Sequence, residues 1–173
     1  MAFRSELDDF GAFYERTYQV AFRTALGIVR DAALAADVTQ EAYVVAYEQR
    51  DRFRGEAPGH AWLHRIVVNR CLMTLRRHRP AIREINPADA GSADAAPGTT
   101  DRVAIFAALD ELSPQQRAAV VLRYYHDYDY ATIARILGTT STNVGAILNR
   151  ARERLRAELG PATTTSAVAG LGR

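Results

Sequence analysis

The sequence predicts an all-α protein made of two small helical domains joined by a flexible linker, and three observations carry this. Apolar residues on both sides of the chain's middle recur at steps of three and four, the period of an amphipathic helix. No run shows the strict alternation of a strand, and no internal repeat is present. Between the two periodic regions lies PAIREINPADAGSADAAPGTTD, Pro80 to Asp101, with three prolines, two glycines, six alanines and no aromatic residue. Such a segment buries too little apolar surface to offset the entropy of ordering it. The predicted boundaries are residues 1–79 for the first domain, 80–101 for the linker, 102–159 for the second domain and 160–173 for a disordered tail rich in Thr, Ala and Gly. With 48% hydrophobic residues among 173, each domain has enough to build a core.

In the first domain, Phe10, Phe13, Tyr14, Tyr18, Ala21, Phe22, Ala25, Leu26 and Val29 trace the apolar stripe of a first helix. Asp31 is placed to cap a second, which carries AADVTQEAYVVAYEQ. Gly55, Pro58 and Gly59 break the pattern, and helix resumes at about Ala61. Beyond the linker, Val103 to Leu112 reads as helical. Ser113-Pro114-Gln115-Gln116 then has a capping-box arrangement, with Pro114 at the first helical position and Gln116 reaching back to Ser113. Two more helices follow, joined near Gly138.

Composition excludes several classes. No stretch approaches the roughly 20 apolar residues of a membrane-spanning helix, and MAFRSELDDF carries acids where a secretory signal has a basic and then apolar run. A cytoplasmic protein without membrane insertion is expected. The single cysteine, Cys71, excludes an intramolecular disulfide and a Cys-rich zinc site; its helical apolar setting marks a small buried hydrophobe. His60 and His64 are four apart, but no third ligand is near, so no metal and no cofactor is expected.

Charge is distributed unevenly. Met1 to Glu48 holds four arginines against eight acids, whereas Trp62 to Arg83 holds six arginines and no acid. All 22 basic residues are arginine, the side chain suited to bidentate phosphate and guanine contacts, although genome composition produces the same bias. In WLHRIVVNRCLMTLRRHR, Arg65, Arg70, Arg76, Arg77 and Arg79 have the density to neutralise several phosphates. Trp62 and Phe53 are aromatic surfaces for an unstacked base, or core; for Trp62 alone, core is the better reading. Asp37, Gln40, Glu41 and Glu48 fall on the side of their helix away from Val38, Ala42 and Val45, either as a solvated face or as a docking surface for a basic partner.

The second domain carries YATIARILGTTSTNVGAIL. Ala134 is small where two helices cross, Gly138 supplies the turn, and Val144 with Leu148 faces back onto the first helix, as a helix-turn-helix requires. Purely structural helical hairpins share the pattern.

The segments DVTQEAYVVAY, FRGEAPGHAWLHRIVVNRCLMTLRR, LDELSPQQRAAVVLRYYHDYDYATIARILG and NRARERLR, in that order, resemble an extracytoplasmic-function sigma factor of the sigma-70 family, the minimal two-domain initiation subunit of bacterial RNA polymerase. The resemblance spans nearly all of the chain outside linker and tail. It implies a region 2 helical bundle over 1–79 that binds core polymerase and the minus-ten element, and a region 4 helix-turn-helix over 102–159 that binds the minus-thirty-five element. Asp37, Gln40 and Glu41 stand where the family docks on the clamp helices of the largest polymerase subunit; the flap is the further contact. Phe53, Arg54, Gly55 and Glu56 occupy the loop that receives a flipped non-template base, Asn69 matches the asparagine beside it, and Gln49 and Asp51 lie at the approach. Arg65, Arg76 and Arg77 are assigned to DNA. Promoter DNA and an anti-sigma factor are the other partners implied, and the chain is not an enzyme, because RNA synthesis belongs to the polymerase.

The sequence also departs from the family. Met73 stands where aspartate is usual, Thr132 where glutamate is frequent, Thr142-Asn143 where Gly-Thr is common, and Gly145-Ala146-Ile147 replaces a stretch that is generally basic or hydroxylic. Val144, Ile147, Leu148, Ala151 and Leu155 recur at helical spacing and are expected to face the core. Reading of the upstream element then falls to Thr142, Asn143, Ala146, Asn149 and Arg150, with Ala146 limited to a thymine methyl. The alternatives are a helix-turn-helix regulator acting without core polymerase, and a sigma-like interaction module.

Overall fold

The computed structural model describes residues 7–55, 58–78 and 108–170. The chain divides into two compact units, Met1–Pro80 and Ala81–Arg173. The expected linker, the stretch from Val103 to Ala107 and Glu56 lie outside the described residues. Every regular element among the described residues is helical.

The first unit contains α1 (Phe10–Val29), α2 (Ala32–Gln49) and α3 (Gly59–His78), each packed on the other two. Aspartates begin the first two helices. Asp9 accepts from the Ala12 amide at 3.0 Å and Asp31 from the Leu34 amide at 2.7 Å, so each satisfies an amide that the first helical turn leaves without a partner. A 3-10 turn, Arg50–Arg52, carries α2 into a loop where Gly55 takes φ of 70°, backbone that a glycine adopts without a Cβ penalty. Helix α3 begins two residues before Ala61, because the Pro58 carbonyl already accepts the Ala61 and Trp62 amides. The core is formed by Phe13, Ala21 and Ile28 from α1, Val38 and Ala42 from α2, and Leu63, Val67 and Cys71 from α3.

In the second unit, residues 108–110 are helical and α4 spans Pro114–Val120. The capping box is formed as the sequence predicts: the Gln116 amide donates to Ser113 Oγ at 3.3 Å and the Ser113 amide to Gln116 Oε1 at 2.9 Å. A π-helical turn, Val121–Tyr125, continues α4. Apolar spacing does not reveal it. Asp129 caps α5 (Tyr130–Leu137) through the Thr132 amide at 2.7 Å, a bond that is the main cause holding its carboxyl below the usual range. Gly138 ends α5 with φ of 64°. Thr140 then accepts from the Asn143 amide at 3.2 Å to start α6, Ser141–Gly170.

Helix α6 continues past Gly160 to Gly170. Extending an established helix fixes one residue per hydrogen bond and needs no new nucleus. Val144, Ile147, Leu148, Ala151 and Leu155 are all buried, as their spacing predicts.

Candidate nucleic-acid interface

Asp37, Gln40, Glu41 and Glu48 are exposed on α2, while Val38 and Ala42 on its opposite side are buried. Sequence reasoning missed the residue at the centre of this face. Val44 is 57% exposed, and at 3.6 residues per turn it falls between Asp37, Gln40, Glu41 and Glu48. It is an apolar knob within an acidic rim; only its departure from the inward register of Val38 and Ala42 marks it in the sequence.

Along α3, Trp62, Arg65, Asn69, Met73 and Arg76 recur at steps of three and four and so share one side of the helix. With Val45 and Gln49 of α2, and with Ile66 and Arg70, the first four of them line an open concavity of about 390 Å³. Its lining mixes the polar and cationic Gln49, Arg65, Asn69 and Arg70 with the apolar Val45, Ile66 and Met73. Arg76, Arg77 and His78 follow in the last turn of α3, where positive charge also suits the helix dipole. Arg76 Nε donates to the Leu72 carbonyl at 3.3 Å, which steadies its side chain along the helix.

The loop preceding α3 buries one aromatic residue and leaves the other half-open. Phe53 is only 7% exposed and packs on Trp62 at 5.1 Å between ring centroids, whereas Trp62 is half-buried and lines the concavity. An all-carbon ring is the better one to enclose, while indole carries an N–H that favours a boundary position. Asp51 and Arg54 are exposed on the same loop, and Gly55 is half-buried. Glu56 lies outside the described residues. His60 and His64 stand 6.0 Å apart between ring centroids, and among the described residues no group of three metal-ligating side chains exists.

In the second unit, Thr142, Asn143, Asn149 and Arg150 are exposed on α6 and Ala146 is half-buried. These five fall within an arc of roughly 120°, opposite the buried stripe. The Asn143 carboxamide donates to Thr139 Oγ1 at 2.8 Å. Three further residues were not legible in the spacing. Arg152 donates from Nε to the Tyr124 hydroxyl at 2.9 Å, from Nη1 to Asn149 Oδ1 at 3.0 Å, and from Nη2 to the Tyr130 hydroxyl at 3.3 Å. The Tyr124 hydrogen bond is the leading cause that raises the pKa of this guanidinium. At Gly145 an added Cβ would lie 3.6 Å from Tyr130 Cε2, ordinary contact distance.

Comparison with known proteins places this geometry. The family model for "Sigma-70 region 2" matches residues 13–81 and that for "Sigma-70, region 4" matches residues 102–155. The chain is 36% identical over 155 residues to the ECF RNA polymerase sigma factor SigM of Mycobacterium tuberculosis, covering 87% of this chain and 77% of that protein. It is 32% identical over 148 residues to the RNA polymerase sigma-E factor of Streptomyces avermitilis, covering 84% and 83%. In structure it is similar to the sigma factor RpoE of Bartonella quintana, solved in complex with the anti-sigma factor NepR, with a TM-score of 0.68, 25% identity, and coverage of 87% and 96%. With both regions matched in order on two helical units, the chain belongs to the extracytoplasmic-function sigma factors of the sigma-70 family.

Proposed function

We propose that this alternative sigma factor, which directs transcription initiation by RNA polymerase, divides its task among three helix faces. The exposed side of α2 docks on core polymerase. Asp37, Gln40 and Glu41 meet basic groups of the clamp helices, and Val44 supplies the apolar anchor that a docking surface needs at its centre. The second unit reaches the flap.

The concavity on α3 receives the opened minus-ten element. Asn69 reads a flipped base, the open part of Trp62 offers a stacking surface, and Phe53 acts from beneath by holding Trp62 and the loop. Gln49, Asp51, Arg54, Gly55 and Glu56 flank the entry, while Arg65, Arg76 and Arg77 hold backbone phosphates. Strand opening is favoured when an unpaired base finds stacking and edge hydrogen bonds that the duplex withholds. On α6, Thr142, Asn143, Ala146, Asn149 and Arg150 face the minus-thirty-five element. The chain contributes binding energy and no chemistry of its own, works in the cytoplasm, and is held in check by an anti-sigma partner, as the sigma factor of Bartonella quintana is seen bound to one.

The observation that supports this reading most is one helical unit bearing an acidic, apolar-centred face on α2 and an arginine-lined concavity with Asn69 on α3. The test is in vitro transcription with core polymerase on a genomic promoter library, with and without the protein. Initiation from a defined promoter subset is expected only when both are present, and Asn69→Ala is expected to impair promoter opening more than core binding. Core binding that never directs initiation, or equal loss of both steps in Asn69→Ala, counts against the reading.

A further inference from the structure

Arg152 gathers side chains from three separate elements. Tyr124 comes from the π-helical turn, Tyr130 from the first position of α5, and Asn149 from α6 one turn before Arg152 itself. A guanidinium has hydrogen-bond donors and no acceptor, so the group facing it from Asn149 must be the carboxamide oxygen. The NH2 of Asn149 then points away from Arg152. Asn143 is not fixed in this way, since its partner, the Thr139 hydroxyl, is able to donate as well as accept.

We infer that Arg152 is a positioning residue, held by Tyr124 and Tyr130, which makes Asn149 a donor-only reader of guanine or thymine in the upstream promoter element. Paired recognition of adenine by asparagine needs its oxygen and its NH2 side by side along the base edge, and here the oxygen is turned toward Arg152, which takes one of its two lone pairs. What remains suits an acceptor: guanine N7 or O6, or thymine O4, while adenine offers N7 alone, beside an N6 amino group that repels a second donor. Arg150, the next residue and also exposed, offers donors alone, so two neighbouring positions of α6 present the same polarity to the groove. The specificity lost with Gly145-Ala146-Ile147 is thus partly replaced one turn later by a residue whose chemistry is set from behind.

This inference rests on α6 being the reading helix, and its test separates the two. Reconstituted holoenzyme is assayed on templates carrying all four bases at each upstream position, using wild type, Asn149→Ala, Arg150→Ala, Arg152→Met, Tyr130→Phe and the double variant Asn149→Ala/Arg152→Met, with thermal melting of each. Wild type is expected to favour guanine or thymine at one position. Asn149→Ala should flatten that preference by about 3- to 10-fold, the scale of one hydrogen bond. Arg152→Met should release the carboxamide and admit adenine at that same position, Tyr130→Phe should shift preference the same way by less, and the double variant should match Asn149→Ala.

Uniform loss of output on every base in Arg152→Met, together with a lowered melting temperature, would make Arg152 merely structural and overturn the inference. Wild-type preference for adenine at the Asn149 position overturns it too. If Asn149→Ala and Arg150→Ala both leave the response to every upstream template unchanged, the assignment of α6 as reading helix fails first.

Discussion

The Arg70 guanidinium lies 3.8 Å from the Glu41 carboxylate, so the acidic face of α2 and the concavity on α3 meet at an ion pair. The two side chains keep 31% and 58% of their surface exposed, and a pair so wetted contributes about 0–1 kcal/mol. Its value lies in holding two faces in register. Glu41→Gln is expected to change unfolding free energy by less than about 0.5 kcal/mol yet weaken core polymerase binding several-fold. Arg70→Gln should weaken core binding less than Glu41→Gln does and, because Arg70 lines the concavity beside Arg65, reduce the salt dependence of promoter binding by at most about one phosphate contact. Denaturant unfolding, fluorescence binding to core and a salt titration check these. Large destabilisation by either change would mean the pair serves the fold instead.

Val44 gives a sharper test of the docking face. It is exposed in the free chain, so Val44→Asp removes no core contact and should leave the melting temperature within a degree or two. Placing a charge at the centre of an apolar-anchored interface is expected to lower affinity for core polymerase at least tenfold, more than Glu48→Ala on the rim. Competition binding against wild type on immobilised core measures it. Equal, small effects at both positions would remove Val44 from the interface.

The contrast between legible and illegible features follows from the range of the forces involved. Helix starts at Asp9, Asp31, Ser113 and Asp129 are local chemistry, a side-chain oxygen on an amide three residues on, and three residues of spacing suffice to see Asp31 and Ser113. The buried stripe of α6 is local in the same sense. The differing burial of Phe53 and Trp62 is not, because which ring is covered depends on how the loop folds back onto α3. The Arg152 network joins residues 22 and 28 positions apart, and no periodicity encodes it. The continuation of α6 to Gly170 is not written in composition either, because composition describes a free segment, whereas this one is attached to a formed helix.

Gly145 is a mid-helix glycine with ordinary helical backbone and room for a side chain, since its Cβ would rest 3.6 Å from Tyr130. Gly145→Ala is therefore expected to stabilise the second unit by about 1 kcal/mol through reduced unfolded-state freedom. Denaturant titration reads the change directly. If transcription from upstream-dependent promoters falls while stability rises, the glycine is kept for close approach of DNA to the backbone. If stability falls, the ring of Tyr130 does not yield.

Alkaline conditions should unfold the protein in a defined window. Cys71 is fully enclosed and burial pushes its thiol from 9.0 up to about 12. Burial likewise pushes Tyr43 from 10.0 up to about 12, against the opposing effect of its hydrogen bond to Thr17, and Tyr128 from 10.0 up to about 12. The folded state thus holds these protons more tightly than the unfolded chain does. Their stabilising contribution is complete below about pH 9 and is lost as pH rises toward 12. Unfolding free energy should be nearly level from pH 7 to 9 and then fall, and Cys71→Ala should delay the onset toward pH 10. A thiol reagent at pH 8 should label Cys71 orders of magnitude faster in denaturant than in the native protein. Rapid native labelling would show that the α1, α2 and α3 core opens readily, and the steep alkaline loss would then be absent.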